Sequence, residues 1–178
     1  MKIENEITVL NINKKVLINK ILHAGGVEVT PELKQVRCVY DFNPVQKNKW
    51  VRLRTNGIKN TLTIKETNGS SKLGAKELEI EVSDFEETNR ILNELGYRYR
   101  NRQENLRHVF MLDNAEISID TWPHIQPYAE IEADTKDIIF SVLQKLEIDD
   151  SQITELDVCG IYKNIYNIDI LSIKELTF

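Results

Sequence analysis

Two distant segments of the chain place acidic side chains at every second position of an extended run. Successive side chains of a strand point to opposite faces. Glu4 and Glu6 therefore share one face of a strand in residues 3–9, and Glu130 and Glu132 share one face in residues 128–132. The opposite faces of both segments are apolar. This repeated pairing of acids predicts a protein interior that holds cations.

Composition limits the class of protein. The chain has 178 residues, of which 41% are hydrophobic, so we expect one domain, residues 1–178, with a substantial core. Its net charge of −5 argues against nucleic acid as a partner. No apolar run approaches the roughly 20 residues that a membrane span needs, so no membrane partner is expected.

The location is predicted to be cytoplasmic. Cys38 and Cys159 have neither metal-binding spacing nor the pattern of a disulfide framework, which fits a reducing compartment. Residues 1–4 lead directly into a charged strand, so no signal peptide is expected. The oligomeric state is expected to be a monomer or a homodimer.

Hydrophobic periodicity predicts eight strands and four helices. The predicted strands are residues 4–10, 35–42, 50–54, 61–66, 76–82, 104–112, 116–121 and 128–133, and the predicted helices are residues 13–24, 84–95, 135–146 and 153–166. Short connections between many strands favour an α+β fold, an eight-stranded antiparallel β-barrel with helices packed outside. An open α+β sheet is the alternative.

The polar faces of these strands carry both signs of charge. A solvated surface explains any single charged strand, but helices covering the apolar faces would turn the whole charged set into a lumen. The predicted basic side consists of Arg37, Arg52, Arg54, Lys65 and Arg107, and the predicted acidic side consists of Glu4, Glu6, Glu79, Glu81, Asp120, Glu130 and Glu132.

Such a lumen suits a polyanion and a divalent metal together. Arginines bind phosphate oxygens in bidentate geometry, and carboxylates supply the oxygen ligands that Mg²⁺ and Mn²⁺ prefer. A small-molecule triphosphate with a bound metal would fit both the basic and the acidic side of the lumen.

The ordered series of motifs resembles the CYTH domain family, also called the triphosphate tunnel metalloenzymes. The family's N-terminal Glu-x-Glu-x-Lys signature corresponds to residues 4–8, its basic hairpin to residues 50–57 and 62–66, and its central acidic strand to residues 79–84. Residues 120–123 with 128–132 resemble a variant found in bacterial members. The resemblance covers nearly the whole chain. The family includes class IV adenylyl cyclases, thiamine triphosphatases and inorganic triphosphatases.

The resemblance implies an eight-stranded tunnel and a role for each matching residue. Metal would be held by Glu4, Glu6, Asp120, Glu130 and Glu132, joined by Glu79 and Glu81, whose phase a bulge would shift. Substrate phosphate would be held by Arg52, Arg54, Lys65 and Arg107, joined by Arg37. The predicted catalytic set is Glu4, Glu6, Arg52, Arg54, Lys65 and Arg107.

Two positions depart from the family pattern. Thr8 stands where the signature has lysine, and Asn105 stands where many members have a second base before Arg107. Lost cations would weaken stabilisation of the transferring phosphoryl group. Three functions therefore stay open: a metal-dependent triphosphatase, the first prediction; an adenylyl cyclase that makes cyclic AMP and pyrophosphate from ATP; and a non-catalytic triphosphate-binding protein.

Three other side chains have predicted positions. His108 is out of phase with Arg107, so it is expected to face the helix layer, and Cys38 is expected to be a buried structural thiol. Trp50 either packs in the interior or presents its ring at a tunnel mouth, where it would stack on a nucleobase.

Overall fold

The computed structural model of the protein describes the backbone of residues 2–68 and 71–178, and the side chains of residues 5–67 and 75–178. Alternating polar and apolar residues form eight long strands. Their bounds are β1 Lys2–Val9, β2 Val27–Asp41, β3 Lys49–Thr55, β4 Asn60–Asn68, β5 Ser71–Val82, β6 Tyr99–Leu112, β7 Ala115–Thr121 and β8 Tyr128–Ala133. Two strands of two residues follow, β9 Ile153–Thr154 and β10 Glu175–Leu176.

Four α-helices connect or follow these strands, and each begins after a capping side chain. They are α1 Lys14–His23, α2 Phe85–Glu94, α3 Lys136–Lys145 and α4 Val158–Tyr166. The caps Asn13, Asp84, Thr135 and Asp157 each accept a hydrogen bond from a backbone N–H of the first turn. None of the helices in the described residues is long and apolar enough to cross a membrane.

The eight long strands pair in a closed antiparallel ring. The order is β6-β2-β3-β4-β5-β1-β8-β7, and β7 pairs back onto β6. A closed sheet gives every long strand two neighbours and so leaves no long edge open. The predicted α+β barrel is confirmed, with two short additional strands: β9 pairs with β1, and β10 pairs with β6 in parallel.

Two apolar clusters cover the outside of the barrel, and a third includes Trp122 and Tyr128, which face its interior. The largest joins α1 and α3 to β1, β7 and β8, and includes the buried Ile21, Ile117 and Ile139. A second packs Phe85 of α2 against Leu53 and its neighbours on β3. A third surrounds Trp122 and Tyr162 and contains most of the apolar side chains of residues 156–176. With these apolar faces directed outward to the helices, the polar faces of the strands line the interior.

The last predicted helix begins later than expected. The periodicity predicted a helix over residues 153–166, but Ile153 and Thr154 form β9 beside Val9 and Thr8, and helix α4 begins at Val158. The β-branched side chains of Ile153 and Thr154 suit an extended strand, and Asp157 is the residue that caps the helix. Cys38 is buried, as predicted, and His108 contacts Glu28 of β2 and stacks on Phe110 of β6.

Candidate functional site

A row of basic side chains crosses the barrel interior on strands β2, β3 and β4. Arg37 and Arg54 are directly opposite each other on β2 and β3, while Trp50 and Lys65 are opposite on β3 and β4. Arg52 lies between Trp50 and Arg54 on the same face of β3. Antiparallel register therefore brings together the basic residues that the sequence predicted for one side of the lumen.

These arginines repel one another. The neighbouring Arg52 guanidinium, followed by burial, lowers the pKa of Arg54 to about 9. Burial, followed by Arg52 and Arg107, lowers the pKa of Arg37 to about 10. Arginine is ordinarily protonated at every accessible pH, so the shifts measure how strongly the surroundings disfavour the positive charges. A bound anion would remove that penalty.

The carboxylates around Arg52 and Arg54 only partly offset this repulsion. Glu79 lies 3.6 Å from Arg52 and 3.7 Å from Arg54, distances that are long for charge-assisted hydrogen bonds, and its Oε2 accepts a 2.6 Å hydrogen bond from Thr63. The buried Nε atoms of Arg37 and Arg52 have no hydrogen-bond partner within the described part of the chain. Among the described residues, these two guanidinium groups therefore each keep one buried donor without a partner.

Glu77 is a site residue that the sequence prediction passed over. Its carboxylate lies 2.5 Å from Lys65 and 3.6 Å from Arg52. Burial acts to raise the pKa of Glu77, but the charges of Arg52 and Lys65 outweigh burial and lower it. Glu77 is therefore held as an anion that fixes Lys65. Glu77 could have been predicted from the sequence, because it lies two residues before Glu79 and so on the same face of the strand.

Arg107 is held by two carboxylates. Its Nε donates to Asp120 Oδ1 at 2.8 Å, while one terminal nitrogen donates to Asp120 Oδ2 at 2.5 Å and to Glu130 at 2.6 Å. Burial acts to lower the pKa of Arg107, but the charges of Asp120 and Glu130 raise it above its ordinary value. The fully buried Asp120 thus orients Arg107 in this structure.

Asn105 joins this pair to Arg37. Its Nδ2 donates to Asp120 at 2.7 Å, and its Oδ1 accepts a 2.5 Å hydrogen bond from Arg37. The Arg37 guanidinium also lies 4.6 Å from the centre of the Trp122 ring, within cation–π range. Asn105 is fully buried. Its neutral amide links Arg37 to Asp120, which in turn binds Arg107. The sequence predicted only that position 105 lacks the basic residue that many family members have.

Acidic side chains form a second row on strands β1, β8 and β7. Glu6 is directly opposite Glu132, and Glu132 is directly opposite Glu116 on its other side. Directly opposed side chains have Cβ atoms about 4.5–5.5 Å apart, and like charges in that position destabilise a sheet. The row therefore concentrates carboxylate oxygens on this side of the barrel. Glu116 was not predicted as a site residue, although its strand phase with Asp120 is visible in the sequence.

The predicted metal ligands do not form one ready-made cluster. Within residues whose side chains are described, no group of three or more His, Cys, Asp or Glu has the arrangement of a metal site. The Glu4 side chain lies outside the described residues. Glu81 pairs with Lys59 at an exposed position, and Glu79 contacts the arginines. The oxygen donors of Glu6, Glu116, Glu130 and Glu132 nevertheless have the chemistry that Mg²⁺ or Mn²⁺ prefers.

One cavity of about 390 Å³ contacts both rows. Its basic lining residues are Arg37, Arg52, Arg54, Lys65, Arg100 and Arg107, and its acidic lining residues are Glu6, Glu77, Glu116, Glu130, Glu132 and Asp157. The segment after the last long strand supplies Asp157, Val158, Cys159 and Leu171 to the same wall. Of the predicted residues with described side chains, Glu79, Glu81 and Asp120 do not line the cavity.

Thr8, which stands where the family has a lysine, contacts the C-terminal segment of the chain. It is fully buried, and its hydroxyl donates to the Leu156 carbonyl at 3.2 Å. This contact connects β1 to the segment that enters α4. The Thr8 side chain has no exposed surface.

Comparison with known proteins identifies the family. Residues 38–155 match the CYTH domain family, and the chain belongs to that family. No curated protein matches the sequence.

Solved structures share the fold at low identity. A conserved hypothetical protein from Pyrococcus furiosus has a TM-score of 0.75 at 20% identity, covering 87% of this chain and 97% of its own. A candidate adenylate cyclase from Vibrio parahaemolyticus has a TM-score of 0.75 at 14% identity, covering 94% of this chain and 99% of its own. A candidate adenylyl cyclase from Hippeastrum, described as having a dominant triphosphatase activity, has a TM-score of 0.60 at 13% identity, covering 92% and 96%.

Proposed function

We propose that the protein is a divalent-metal-dependent triphosphatase that hydrolyses inorganic tripolyphosphate or a nucleoside triphosphate inside the barrel. The observation that carries the proposal is the pair of opposed rows in one cavity. Arginines whose charges are mutually disfavoured lie on one side, and directly opposed glutamates lie on the other. A phosphate chain would lower the repulsion within the first row, and the carboxylate oxygens of the second row are ligands of the kind that a divalent cation prefers.

The basic row would bind and orient the phosphate chain. Arg52, Arg54 and Lys65 would contact its oxygens, together with Arg37 and Arg107. Fixed guanidinium groups stabilise charge that develops on a transferring phosphoryl group without the cost of reorientation. Asp120 and Asn105 would keep Arg107 and Arg37 in place during this step.

The acidic row would hold the metal through carboxylate oxygens. We assign Glu6, Glu130 and Glu132 to this role, with Glu116 beside them and with Glu4 from the family signature. When bound, Mg²⁺ or Mn²⁺ supplies charge neutralisation at the phosphate oxygens. A glutamate of the same row would accept the proton of the attacking water.

Phosphate and pyrophosphate release from tripolyphosphate and from ATP tests the proposal, with Mg²⁺ and with Mn²⁺ and with cyclic AMP measured in parallel. We expect phosphate release that Glu132→Gln and Arg54→Gln each reduce at least 100-fold. Glu94→Gln and Arg98→Gln, at exposed positions away from the cavity, are the matched controls and should keep full activity. Turnover that survives Glu132→Gln would contradict the assignment.

Two other functions are distinguished by the same experiment. Cyclic AMP with pyrophosphate from ATP would establish the adenylyl cyclase, the activity suggested by the description of the Vibrio parahaemolyticus structure. Triphosphate binding without turnover would establish a non-catalytic binder. The ion pairs of Arg107 with Asp120 and Glu130 are the observation that favours this third function, because a carboxylate bound to an arginine has to leave it before it can bind a metal.

A further inference from the structure

The first residue of strand β8 is a buried tyrosine that lines the cavity. Tyr128 is 1% exposed and belongs to the cavity wall. Its hydroxyl makes no hydrogen bond in the part of the chain whose side chains the structure describes. Buried hydroxyl groups are nearly always paired, because an unpaired one lowers stability. An acceptor inside the cavity is therefore the partner that remains open to Tyr128.

The other two buried tyrosines of the chain are both paired. The Tyr40 hydroxyl donates to Asn89 at 2.8 Å. The Tyr162 hydroxyl donates to the Pro123 carbonyl at 2.5 Å. Neither of these two side chains lines the cavity, whereas Tyr128 does. The unpaired hydroxyl is thus found at the one buried tyrosine that faces the candidate site.

Strand register places Tyr128 beside the Arg107 ion pairs. It is directly opposite Asp120 on β7, and Asp120 is directly opposite Arg107 on β6. Both neighbouring carboxylates on this face, Asp120 and Glu130, accept hydrogen bonds from Arg107. The acceptors of the protein around Tyr128 are therefore directed to an arginine.

The Tyr128 hydroxyl is a proton donor close to the basic row. Burial, followed by the charges of Glu130 and Asp120, raises the pKa of Tyr128 well above its ordinary value. The charges of Arg107 and Arg37 act in the opposite direction, so both guanidinium groups lie near the hydroxyl. A phenol in this place can donate to an oxygen of a phosphate group that the two arginines hold.

Tyr128 is also a neighbour of position 8, where the family pattern has lysine. Thr8 is directly opposite Glu130, so Tyr128 is its diagonal neighbour on the same face, at a distance of about 7–8 Å. The Thr8 hydroxyl is turned to the Leu156 carbonyl, and of these two side chains only Tyr128 lines the cavity. At this corner of the barrel, the donor presented to a ligand is therefore the phenol.

We propose that Tyr128 contacts the substrate, donating a hydrogen bond from its hydroxyl to a phosphate oxygen at the Arg37–Arg107 end of the basic row. The inference rests on the proposed function, since it takes the basic row to hold the phosphate chain. A hydroxyl adds a donor without adding a charge to arginines that already repel one another. Tyr128 thus supplies a neutral contact beside Thr8, where the family pattern has a charged one.

Tripolyphosphate binding to the full chain, measured by titration calorimetry, tests the inference with Tyr128→Phe. This substitution keeps the ring and removes only the hydroxyl. A hydrogen bond to a charged group is worth about 1.5–3 kcal/mol, so the variant should bind about 10- to 150-fold more weakly than the native protein. Its urea midpoint without ligand should be unchanged or higher, because no hydrogen bond within the protein is lost.

Tyr162→Phe is the matched control, since it removes a buried hydroxyl that is paired and lies outside the cavity. We expect the opposite pattern: a lower urea midpoint and unchanged tripolyphosphate affinity. If the native protein binds tripolyphosphate but Tyr128→Phe binds it equally well, the inference is refuted and the proposed function stands. The same holds if Tyr128→Phe lowers the urea midpoint as much as Tyr162→Phe does. If the native protein does not bind tripolyphosphate, both proposals are refuted.

Discussion

At the scale of single residues, buried polar side chains hold the basic groups of the cavity in fixed positions. Asp120 is fully buried and accepts hydrogen bonds from both Arg107 and Asn105, and Asn105 also accepts one from Arg37. The family resemblance predicted a metal ligand at Asp120, whereas its contacts in this structure are to nitrogen donors. One aspartate therefore fixes the orientation of two arginines.

Asp120→Asn is predicted to destabilise the fold by about 3–5 kcal/mol, because removing one partner of a buried ion pair leaves the other charge buried and uncompensated. Urea unfolding at pH 7 measures the change. Asp113→Asn is the matched control: Asp113 pairs with Lys145 at a half-exposed position, where an ion pair is worth about 1 kcal/mol or less. Equal effects of the two substitutions would show that the buried network does not have this role.

Glu77 is predicted to make stability depend on pH. Its pKa is lowered in the folded protein, so its stabilising contribution is present above the ordinary glutamate pKa of 4.5 and is lost as pH falls through the folded value. The stability difference between the native protein and Glu77→Gln should therefore be largest above about pH 5 and shrink below pH 4.5. Urea unfolding from pH 3.5 to 7 measures it, and a difference that grows on acidification would have the wrong sign.

At the scale of elements, the C-terminal segment closes the cavity where the family pattern predicts a lysine. Thr8 on β1 is buried and donates to the Leu156 carbonyl, two residues before α4 begins at Val158. A lysine in this position would have to displace the segment or bury its charge. Thr8 is therefore part of the contact between strand β1 and the segment that leads into α4.

Thr8→Lys is accordingly predicted to destabilise the protein by about 1–3 kcal/mol, by overpacking a filled position. Thr8→Val keeps the shape and removes the hydroxyl, so it should cost only about 1 kcal/mol. Thermal unfolding ranks the two variants. A Thr8→Lys protein that is as stable as the native one and gains turnover would instead show that position 8 is an open catalytic position.

Elements were predictable from the sequence wherever a local signal marked them. Helical periodicity in α1, α2 and α3 and strict alternation in β3, β4 and β8 placed those elements to within one or two residues. Ile153 and Thr154 misled the helix prediction, because their extended conformation depends on pairing with β1, a long-range contact. β2 and β6 are longer than predicted, because their mutual pairing extends through irregular positions from Val27 to Tyr40 on β2.

At the scale of the whole molecule, ring closure creates the site. The pairing of β7 with β6 closes the ring, and register then sets which charges are neighbours. The sequence predicted the basic and acidic sets from period-2 alternation. It did not predict that Glu77 and Glu116 line the cavity, or that Glu81 lies outside it and pairs with Lys59. These positions depend on how far the cavity extends along the strands, which alternation does not specify.

Tripolyphosphate binding to the metal-free protein, measured by titration calorimetry, tests the polyanion site most directly. We predict saturable one-site binding by the native protein. Arg54→Gln should weaken it by about 10- to 150-fold, the equivalent of one charged hydrogen bond of roughly 1.5–3 kcal/mol, and the exposed control Arg98→Gln should not change it. No binding by the native protein, or equal affinity of Arg54→Gln and Arg98→Gln, would contradict a phosphate-binding role for the basic row.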